Sequence, residues 1–394
     1  MHHLLHLLPL LLLLLTACAP EDDLANQRIN TGPDRASAAE DGTMALTPAT
    51  IKPDVVFTYE DIIWGFQFLP DGQLLGTDKS GKLLVINMTD DSHTEITEGV
   101  PEVKNVGQGG LLDVLLDQDF ATNRMVYLTW SKIDDRENAG TAVGRGRLNE
   151  AMTALENFEV LYEIDPKTDK PYHYGSRMVW GPNDGHLYFT VGDRGDRDTN
   201  PQDSTRDAGK VYRIAKDGSI PADNPFVGYD NAKKAIWSYG HRNPQSLTVH
   251  PETGEIWETE HGPRGGDEIN IIEPGKNYGW PVITYGINYN GTQITEEVSK
   301  PGMEQPLHYW VPSIAPSGMA FITGDNYPGW EGDLLVGSLK FMRVQHVDLD
   351  GKEVIGENKV LNNFGRVRDL RMGLDGWVYA SVEGEGIVRL SVLD

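Results

Sequence analysis

The chain of 394 residues has one cysteine, Cys18, so no disulfide can form within it. Basic residues are scarce, because 34 Lys and Arg stand against 59 Asp and Glu and give a formal net charge of −25. This balance argues against nucleic-acid binding and against electrostatic docking on anionic lipid. Helical periodicity is missing nearly everywhere, and residues 149–157 are the best candidate for a short helix, with a loop as the alternative.

Long apolar runs are absent after the N-terminus, so membrane association is expected only through that end. Residues 4–15 form a leucine run that is too short to span a bilayer and has the length of a signal-peptide core. The run ends in Leu15-Thr16-Ala17-Cys18, which is typical of bacterial lipoprotein signals, although no Lys or Arg precedes it. We expect a lipoprotein signal peptide at 1–18, export to the periplasmic side of the bacterial envelope, and a lipid anchor at Cys18. A buried core cysteine is the alternative.

Residues 19–50 are rich in Ala, Asp, Glu, Thr and Pro and nearly free of large apolar side chains. Such a segment cannot bury enough surface to offset the entropy of ordering, which predicts a flexible tether. The folded domain is therefore expected at 51–394.

Six hairpin patterns recur along this domain, each with alternating apolar strands around a turn of Pro, Asp, Asn or Gly. They are FQFLPDGQLLGTD from Phe66, LDVLLDQDFATNRMVYLTW from Leu112, MVWGPNDGHLYFTVGD from Met178, LTVHPETGEIWETE from Leu247, MAFITGDNYPGWEGDLLVGS from Met319 and LRMGLDGWVYASVEG from Leu370. Six such repeats without helices predict an all-β fold, a six-bladed β-propeller with four antiparallel strands per blade. A β-sandwich or a β-helix is the alternative.

Polar, glycine and aromatic residues recur just before or after these repeats, where propeller loops converge on a ligand. The densest group lies in residues 237–280, where free carbonyls at Gly262-Pro263, beside two carboxylates, suit calcium. Solvated turns are the alternative for this segment. The candidates are Gln108, His173, Asp193, Arg242, Asn243, Gly262, Pro263, Trp310, Lys340, Arg366 and Arg368.

Residues 51–394 resemble the soluble pyrroloquinoline quinone-dependent aldose sugar dehydrogenases, six-bladed propellers related to soluble glucose dehydrogenase. The matching strings occur in order over nearly the whole domain: GQGGLLDV, HYGSRMVWGP, GDRG, DNPF, WSYGHRNPQ, EHGPRGGDEIN, GKNYGWP, SGMAF, GSLK and RVRD.

The resemblance implies a role for each candidate. His173 is expected as the general base that takes the proton of the anomeric hydroxyl while hydride leaves C1 for the quinone, and Asp193 is expected to orient its ring. Arg242 is expected to stabilise negative charge on the quinone carbonyl side, which Asn243 also contacts.

The cofactor and the metal are expected to be held by a further set of residues that the resemblance identifies. The positive clamp on the cofactor carboxylates corresponds to Lys340, Arg366 and Arg368, and an aromatic wall corresponds to Trp310. Gln108 corresponds to a residue that bridges cofactor and sugar. The two carbonyl ligands for calcium correspond to Gly262 and Pro263.

Two departures concern sugar preference: Tyr172 stands where glucose dehydrogenase relatives have an acidic residue, and the loop lengths after Asp193 differ from that branch. His241, inside GHRNP, is expected to pack, with lining of the pocket as the alternative. A quinone or cytochrome is expected as electron acceptor, and the protein is expected to be a monomer or homodimer. A calcium-dependent propeller hydrolase, such as a lactonase, and a non-catalytic sugar-binding propeller are the alternatives. The hydrolase needs carboxylates converging on the metal, and the sugar-binding protein needs neither clamp nor base.

Overall fold

The computed structural model describes residues 51–393, so the predicted signal peptide 1–18 with Cys18 and the predicted tether 19–50 lie outside the described residues. Within 51–393, no helix has both the length and the apolar character needed to cross a bilayer.

Six sheets, each of four antiparallel strands, follow one another along the described chain and form a ring. The predicted six-bladed propeller is therefore confirmed. Blade one contains β2 (Ile63–Phe68), β3 (Leu74–Asp78), β4 (Lys82–Asn87) and β5 (Ser92–Ile96). Blade two contains β6 (Leu111–Leu116), β7 (Met125–Ile133), β8 (Ala139–Leu148) and β9 (Leu155–Glu163). Blade three contains β10 (Met178–Trp180), β11 (Leu187–Val191), β12 (Lys210–Ile214) and β13 (Ile236–Tyr239).

The remaining three blades continue in chain order, except that the last one takes its outermost strand from the N-terminal end of the domain. Blade four contains β14 (Pro244–Val249), β15 (Ile256–Glu260), β16 (Asp267–Ile271) and β17 (His308–Trp310). Blade five contains β18 (Pro316–Phe321), β19 (Leu334–Ser338), β20 (Arg343–Asp350) and β21 (Glu353–Val360). Blade six contains β22 (Val367–Met372), β23 (Val378–Val382), β24 (Gly386–Val392) and β1 (Ile51–Thr58).

The six hairpins found in the sequence are the two innermost strands of each blade, from β2–β3 to β22–β23. The described residues contain one helix, the single turn α1 (Phe120–Asn123), inside the turn of the second hairpin. The stretch 149–157 forms a turn that leads into β9, so the loop interpretation of that stretch holds.

The ring is closed by β1, which pairs antiparallel with β24 from Ile51 opposite Val392 to Thr58 opposite Gly386. The first strand of the domain thus becomes the outermost strand of the sixth blade, so the two ends of the described chain share one sheet.

The core consists of apolar clusters in the six spaces between neighbouring blades. Second strands such as β11 and β23 are buried at every position because a blade packs on each of their faces. The burial pattern of the outermost strands is different. Strand β21 alternates between exposed and partly buried residues, as expected for a sheet edge with one face in water.

Candidate active site

The predicted site residues share one mouth of the ring. All innermost strands run in one direction along the channel, and the second strand of each blade runs back antiparallel to it. The first residues of the innermost strands and the last residues of the second strands therefore lie at the same mouth of the ring. Six predicted residues precede or begin an innermost strand: Gln108, His173, Arg242, Asn243, Arg366 and Arg368. Four follow a second strand: Asp193, Gly262, Pro263 and Lys340.

The central pair at this mouth is His173 and Asp193. The imidazole Nδ1 lies 2.6 Å from Asp193 Oδ1, and that carboxylate, which is 1% exposed, also accepts N–H groups from Gly195 (2.7 Å) and from the Trp280 indole (2.9 Å). The backbone N–H of His173 donates to Gln108 Oε1 at 2.7 Å. Because Nδ1 is engaged by Asp193, Nε2 is the nitrogen left to accept a proton.

The protonation state of the pair follows from burial and charge. Burial lowers the pKa of His173 below its ordinary value, against the hydrogen bond that its Nδ1 donates to Asp193, and the charge of Arg242 acts in the same direction as burial. Burial by itself would raise the pKa of Asp193, but the hydrogen bond and charge of His173 hold that pKa below its ordinary value. At neutral pH the pair is therefore a neutral imidazole beside a carboxylate.

The backbone around the histidine is tightly constrained. His173 has a φ of 58°, in the left-handed region that non-glycine residues seldom adopt. A Cβ on Gly192 would lie 2.4 Å from the carbonyl oxygen of His173, so only glycine allows this close approach. The chain therefore accepts local strain to place this imidazole, as is common at functional sites.

Arg242 is anchored by several groups from the fourth blade. Its Nη1 donates to the carbonyls of His261 (2.9 Å) and Gly262 (2.8 Å), and its backbone N–H donates to the carboxylate of Glu260. The guanidinium carbon lies 5.4 Å from the ring centroid of Trp280. The cation is held beside the imidazole.

Asn243 is fully buried, and only its oxygen is satisfied. Oδ1 accepts the backbone N–H of Gly175 at 3.2 Å and the side-chain amide of Gln245 at 3.3 Å. Its Nδ2 has no hydrogen-bond partner. A buried unpaired donor is costly unless a ligand supplies its acceptor.

The Gly262-Pro263 turn is built around a buried carboxylate. Asp267 accepts the N–H of Gly262 (2.7 Å) on one oxygen and those of residues 314 and 315 (2.7 Å each) on the other. Burial raises the pKa of Asp267 to about 6. The Pro263 carbonyl accepts a hydrogen bond from Ser313 at 3.3 Å.

The predicted positive clamp comes from the fifth and sixth blades. Arg366 and Arg368, two residues apart in an extended segment, both donate to the carboxylate of Glu383, so the two guanidinium groups point to one side. Arg366 also donates to the carbonyl of Leu339 at 3.0 Å, which places it next to the exposed Lys340.

His261 joins the fourth and fifth blades beside Arg242. Its Nε2 lies 2.6 Å from the carbonyl of Pro316, and its own carbonyl accepts Nη1 of Arg242 at 2.9 Å. The pKa of His261 is lowered to about 3, mainly by burial, and the charges of Arg242 and Arg368 act in the same direction.

Trp310 lies at the same end of the fourth blade, on the outermost strand, β17, where it is opposite Asp267 and belongs to the apolar cluster between blades four and five. Its indole N–H donates to Glu357 at 3.0 Å, and its carbonyl accepts the N–H of Gly266 at 2.8 Å. It therefore borders the turn of Gly262 and Pro263, and its role as an aromatic wall stays a prediction. The sequence did not single out Trp280, which stands in the matching string GKNYGWP and whose indole donates to Asp193.

The packing role expected for His241 is confirmed. The imidazole is fully buried, stacks on Tyr278 with ring centroids 4.6 Å apart, and contacts Ser238 at 2.8 Å and Glu260 at 3.2 Å. This histidine supports the carboxylate that holds Arg242.

Tyr172 lies at the edge of the pocket. Its ring meets the imidazole of His173 edge-on, with centroids 5.0 Å apart, and a Cβ on Gly195 would lie 2.4 Å from that ring. Tyr172 is 36% exposed, so an aromatic surface adjoins the imidazole of His173.

The residues present fit a planar tricarboxylate quinone with a calcium ion. The unpaired Nδ2 of Asn243 suits a carbonyl, and the exposed cations of Lys340 and Arg366 suit carboxylates. The carbonyls of Gly262 and Pro263 each accept one hydrogen bond, so each keeps a lone pair for a hard cation.

Comparison with known proteins points to one family. The family model of the glucose/sorbosone dehydrogenases matches residues 60–389. The aldose sugar dehydrogenase YliI of Escherichia coli (strain K12) is 41% identical over 336 residues, which cover 84% of this chain and 90% of that protein.

Two solved structures extend the comparison. The soluble aldose sugar dehydrogenase from Escherichia coli in its apo form has a TM-score of 0.81 and 38% identity, covering 87% of this chain and 99% of that one. The pyrroloquinoline quinone-bound aldose sugar dehydrogenase from Streptomyces coelicolor has a TM-score of 0.71 and 26% identity, covering 88% and 99%.

A six-bladed propeller with an acid–imidazole pair and a cationic cluster at one mouth defines the quinone-dependent type of sugar dehydrogenase. The chain belongs to the glucose/sorbosone dehydrogenase family. The resemblance found in the sequence, and the prediction of an oxidoreductase of this class, are thereby confirmed.

Proposed function

We propose that the protein oxidises aldose sugars at C1 to lactones, with calcium-bound pyrroloquinoline quinone as the hydride acceptor. The observation that carries the proposal is the buried His173–Asp193 pair, 2.6 Å apart, at the same mouth as the cations Lys340, Arg366 and Arg368. A base beside a cluster for an anionic cofactor is what this oxidation requires.

The proton chemistry falls to His173. Its neutral imidazole takes the proton of the anomeric hydroxyl on Nε2 as the C1 hydride leaves, so the sugar loses two electrons and two hydrogens. Asp193, bonded to Nδ1, then stabilises the imidazolium. Arg242, fixed by two carbonyls and stacked near Trp280, supplies positive charge where oxyanion character develops.

The cofactor would be held by side chains of several blades. Lys340, Arg366 and Arg368 would bind its carboxylates, Asn243 would donate through its unpaired amide, and the carbonyls of Gly262 and Pro263 would ligate calcium. When bound, the quinone would supply the hydride acceptor and calcium would supply Lewis acidity beside it.

Two buried carboxylates of the innermost strands do not favour a metal-dependent hydrolase. Asp113 and Asp369 are buried on innermost strands, and each is paired with both Arg177 and Arg371 at 3.0–3.4 Å. Carboxylates already neutralised by arginines are poor candidates for a shared metal.

The test is reconstitution of purified protein with pyrroloquinoline quinone and calcium, followed by dye reduction with several aldoses. His173→Ala should nearly abolish turnover and leave the quinone dissociation constant within about twofold, since the base contributes at least 100-fold. His346→Ala is the matched control, because His346 forms another buried pair, with Asp333 at 2.8 Å, toward the opposite end of the fifth blade. Wild-type protein that reduces no dye with any sugar would refute the proposal.

We also propose export, lipidation at Cys18, and transfer of electrons to a quinone or cytochrome in the envelope. The leucine run and the residues around Cys18 support this location. Cys18→Ala should move the protein from the membrane fraction to the soluble fraction, as seen by immunoblotting. Equal partitioning of both forms would contradict the anchor.

A further inference from the structure

Lys210 begins strand β12 and is fully buried, which is rare for an ammonium group. Its Nζ donates to three main-chain carbonyls, those of Asn200 (2.7 Å), Pro201 (3.2 Å) and Ala208 (2.6 Å). An ammonium group has three N–H donors, so all three are used. Burial lowers the pKa of Lys210 to about 7, against the charges of nearby aspartates.

The three carbonyls belong to residues 194–209, which link β11 to β12 behind the His173–Asp193 pair. Asn200 Nδ2 donates to the main-chain carbonyl of Asp193 at 2.9 Å, so two hydrogen bonds lead from the ammonium group to the carboxylate residue. Gly209 at the other end of the segment donates to the carbonyl of Gly192 at 2.9 Å.

The same segment also supports the second residue that fixes Asp193. Gln202 Nε2 donates to the carbonyl of Trp280 at 2.8 Å, and the carbonyl of Pro201 accepts the N–H of Gly240 at 3.0 Å. The positions of the carboxylate and of the indole that binds it therefore both depend on how residues 194–209 are folded.

We propose that Lys210 is a positioning residue that acts as an internal cation for residues 194–209 and thereby aligns Asp193 and the imidazole of His173. Converging carbonyl dipoles need a cation or N–H donors at their centre, and the chain supplies one from its own strand. The proposal rests on the assignment of His173 as the base.

The first test compares Lys210→Met, which keeps the apolar stem, with Lys233→Met. Lys233 is the matched control because its Nζ pairs with Asp207 on the outside of the same segment, at 2.9 Å. In Lys210→Met we expect kcat to fall roughly tenfold or more, with KM and the quinone dissociation constant within about twofold. The acidic limb of the kcat profile should move to lower pH, because a weaker bond from Asp193 lowers the pKa of His173. Unchanged kcat, or equal effects of both substitutions, would overturn the proposal.

The second test is chemical rescue of Lys210→Ala. Ethylammonium can enter the vacated space and donate N–H groups to the carbonyls, whereas tetramethylammonium carries the same charge without donors. Saturable recovery of kcat with ethylammonium alone is the expected result. Recovery with neither ion, or the same recovery with both, would contradict a role for the ammonium donors.

Two further measurements keep the proposal testable if Lys210 variants do not fold or if the wild-type protein oxidises no sugar. Asn200→Ala removes the link to Asp193 and leaves the ammonium in place, and it should reproduce the loss of kcat and the pH shift. NMR titration of the His173 ring in cofactor-free Lys210→Met or Asn200→Ala should show a lower pKa than in the wild type. An unchanged titration would refute the positioning role, whereas absent wild-type turnover would refute only the proposed function.

Discussion

At the scale of single residues, Asp193 collects three N–H donors, from the imidazole of His173, the backbone of Gly195 and the indole of Trp280. Three donors on one buried carboxylate fix both of its oxygens, and through Nδ1 they fix the plane of the imidazole. The orientation of the base therefore depends on two different blades, since Trp280 belongs to the fourth and the pair to the third.

Removal of the indole donor tests this dependence. Trp280→Phe keeps an aromatic ring near Arg242 but leaves Asp193 Oδ2 without its 2.9 Å hydrogen bond, so kcat should fall roughly tenfold, as expected for a charge-assisted bond. Trp237→Phe is the control, because the buried Nε1 of Trp237 has no partner to lose. Steady-state dye reduction distinguishes the two, and equal losses would show a packing effect only.

The pH dependence tests the pair itself. His173 must be neutral to accept a proton, so turnover is lost as pH falls through its folded pKa, which burial places below the ordinary value. Asp193→Asn removes a hydrogen bond and a charge that raise this pKa. The acidic limb of kcat should therefore move to lower pH while the maximal kcat falls roughly 100-fold or more. A limb that moves to higher pH would contradict the assigned direction.

The sequence predicted the residues of this site unevenly. His173, Asp193 and Arg242 stand in matching strings next to strands of the repeated hairpins, so topology fixes where they lie. Trp310 also lies at that end, but the side of an outermost strand on which a ring packs depends on the neighbouring blade. Trp280 stands in a string that matches the family, so the sequence could have indicated it as a site residue. Its hydrogen bond to Asp193 joins residues 87 positions apart, and no local pattern predicts such a contact.

At the scale of elements, the turn 262–266 shows how a loop reaches a fixed shape without regular structure. Asp267 accepts N–H groups from Gly262 in the turn and from residues 314 and 315 before the next blade, and Gly262 packs against the backbone of Gly265 and Gly266. A buried carboxylate thus replaces a hydrogen-bond ladder as the organiser of the turn.

A side chain at Gly262 should open this turn. Its Cβ would lie 2.3 Å from backbone atoms of Gly265 and Gly266, so Gly262→Ala should cost about 1–3 kcal/mol of stability and weaken the calcium binding proposed for this turn. Gly228→Ala is the control, since a Cβ there meets nothing within 4 Å. Thermal unfolding and calcium titration measure both effects. Equal stability of the two variants would show that the turn rearranges to accommodate the added methyl group.

The inner hairpins were predictable because their turn residues and alternation are local signals, whereas outer strands were not. β5 is exposed at all but its last residue and carries little apolar pattern, and β9 is fully buried only at its first residue. These strands exist because an inner neighbour offers unpaired N–H and C=O groups, which is a tertiary cause.

At the scale of the whole molecule, ring closure depends on β1. Phe57 is 1% exposed between the sixth and first blades, so Phe57→Ala should lower the free energy of unfolding by about 3–5 kcal/mol. Val55 lies on the same strand and is 48% exposed, and Val55→Ala should change it by less than about 0.5 kcal/mol. Denaturant titration compares them, and similar losses would show that the strand contributes through pairing alone.

The number of blades followed from the count of hairpins, but the closure did not. The partner of Ile51 is Val392, and nothing local to either residue indicates that pairing. The six-fold repeat predicts a ring, and only the sheet register shows that the N-terminal strand completes the last blade.

This closure has a consequence for biogenesis. Since β1 is synthesised before every other strand of the propeller and its partner β24 after them, the final seam cannot form until all six blades have been translated. Until then the nascent domain is an open stack of blades with an unpaired edge at one end, which is a hazard for self-association. Chaperone dependence should therefore concentrate in the interval before the C-terminal strands emerge.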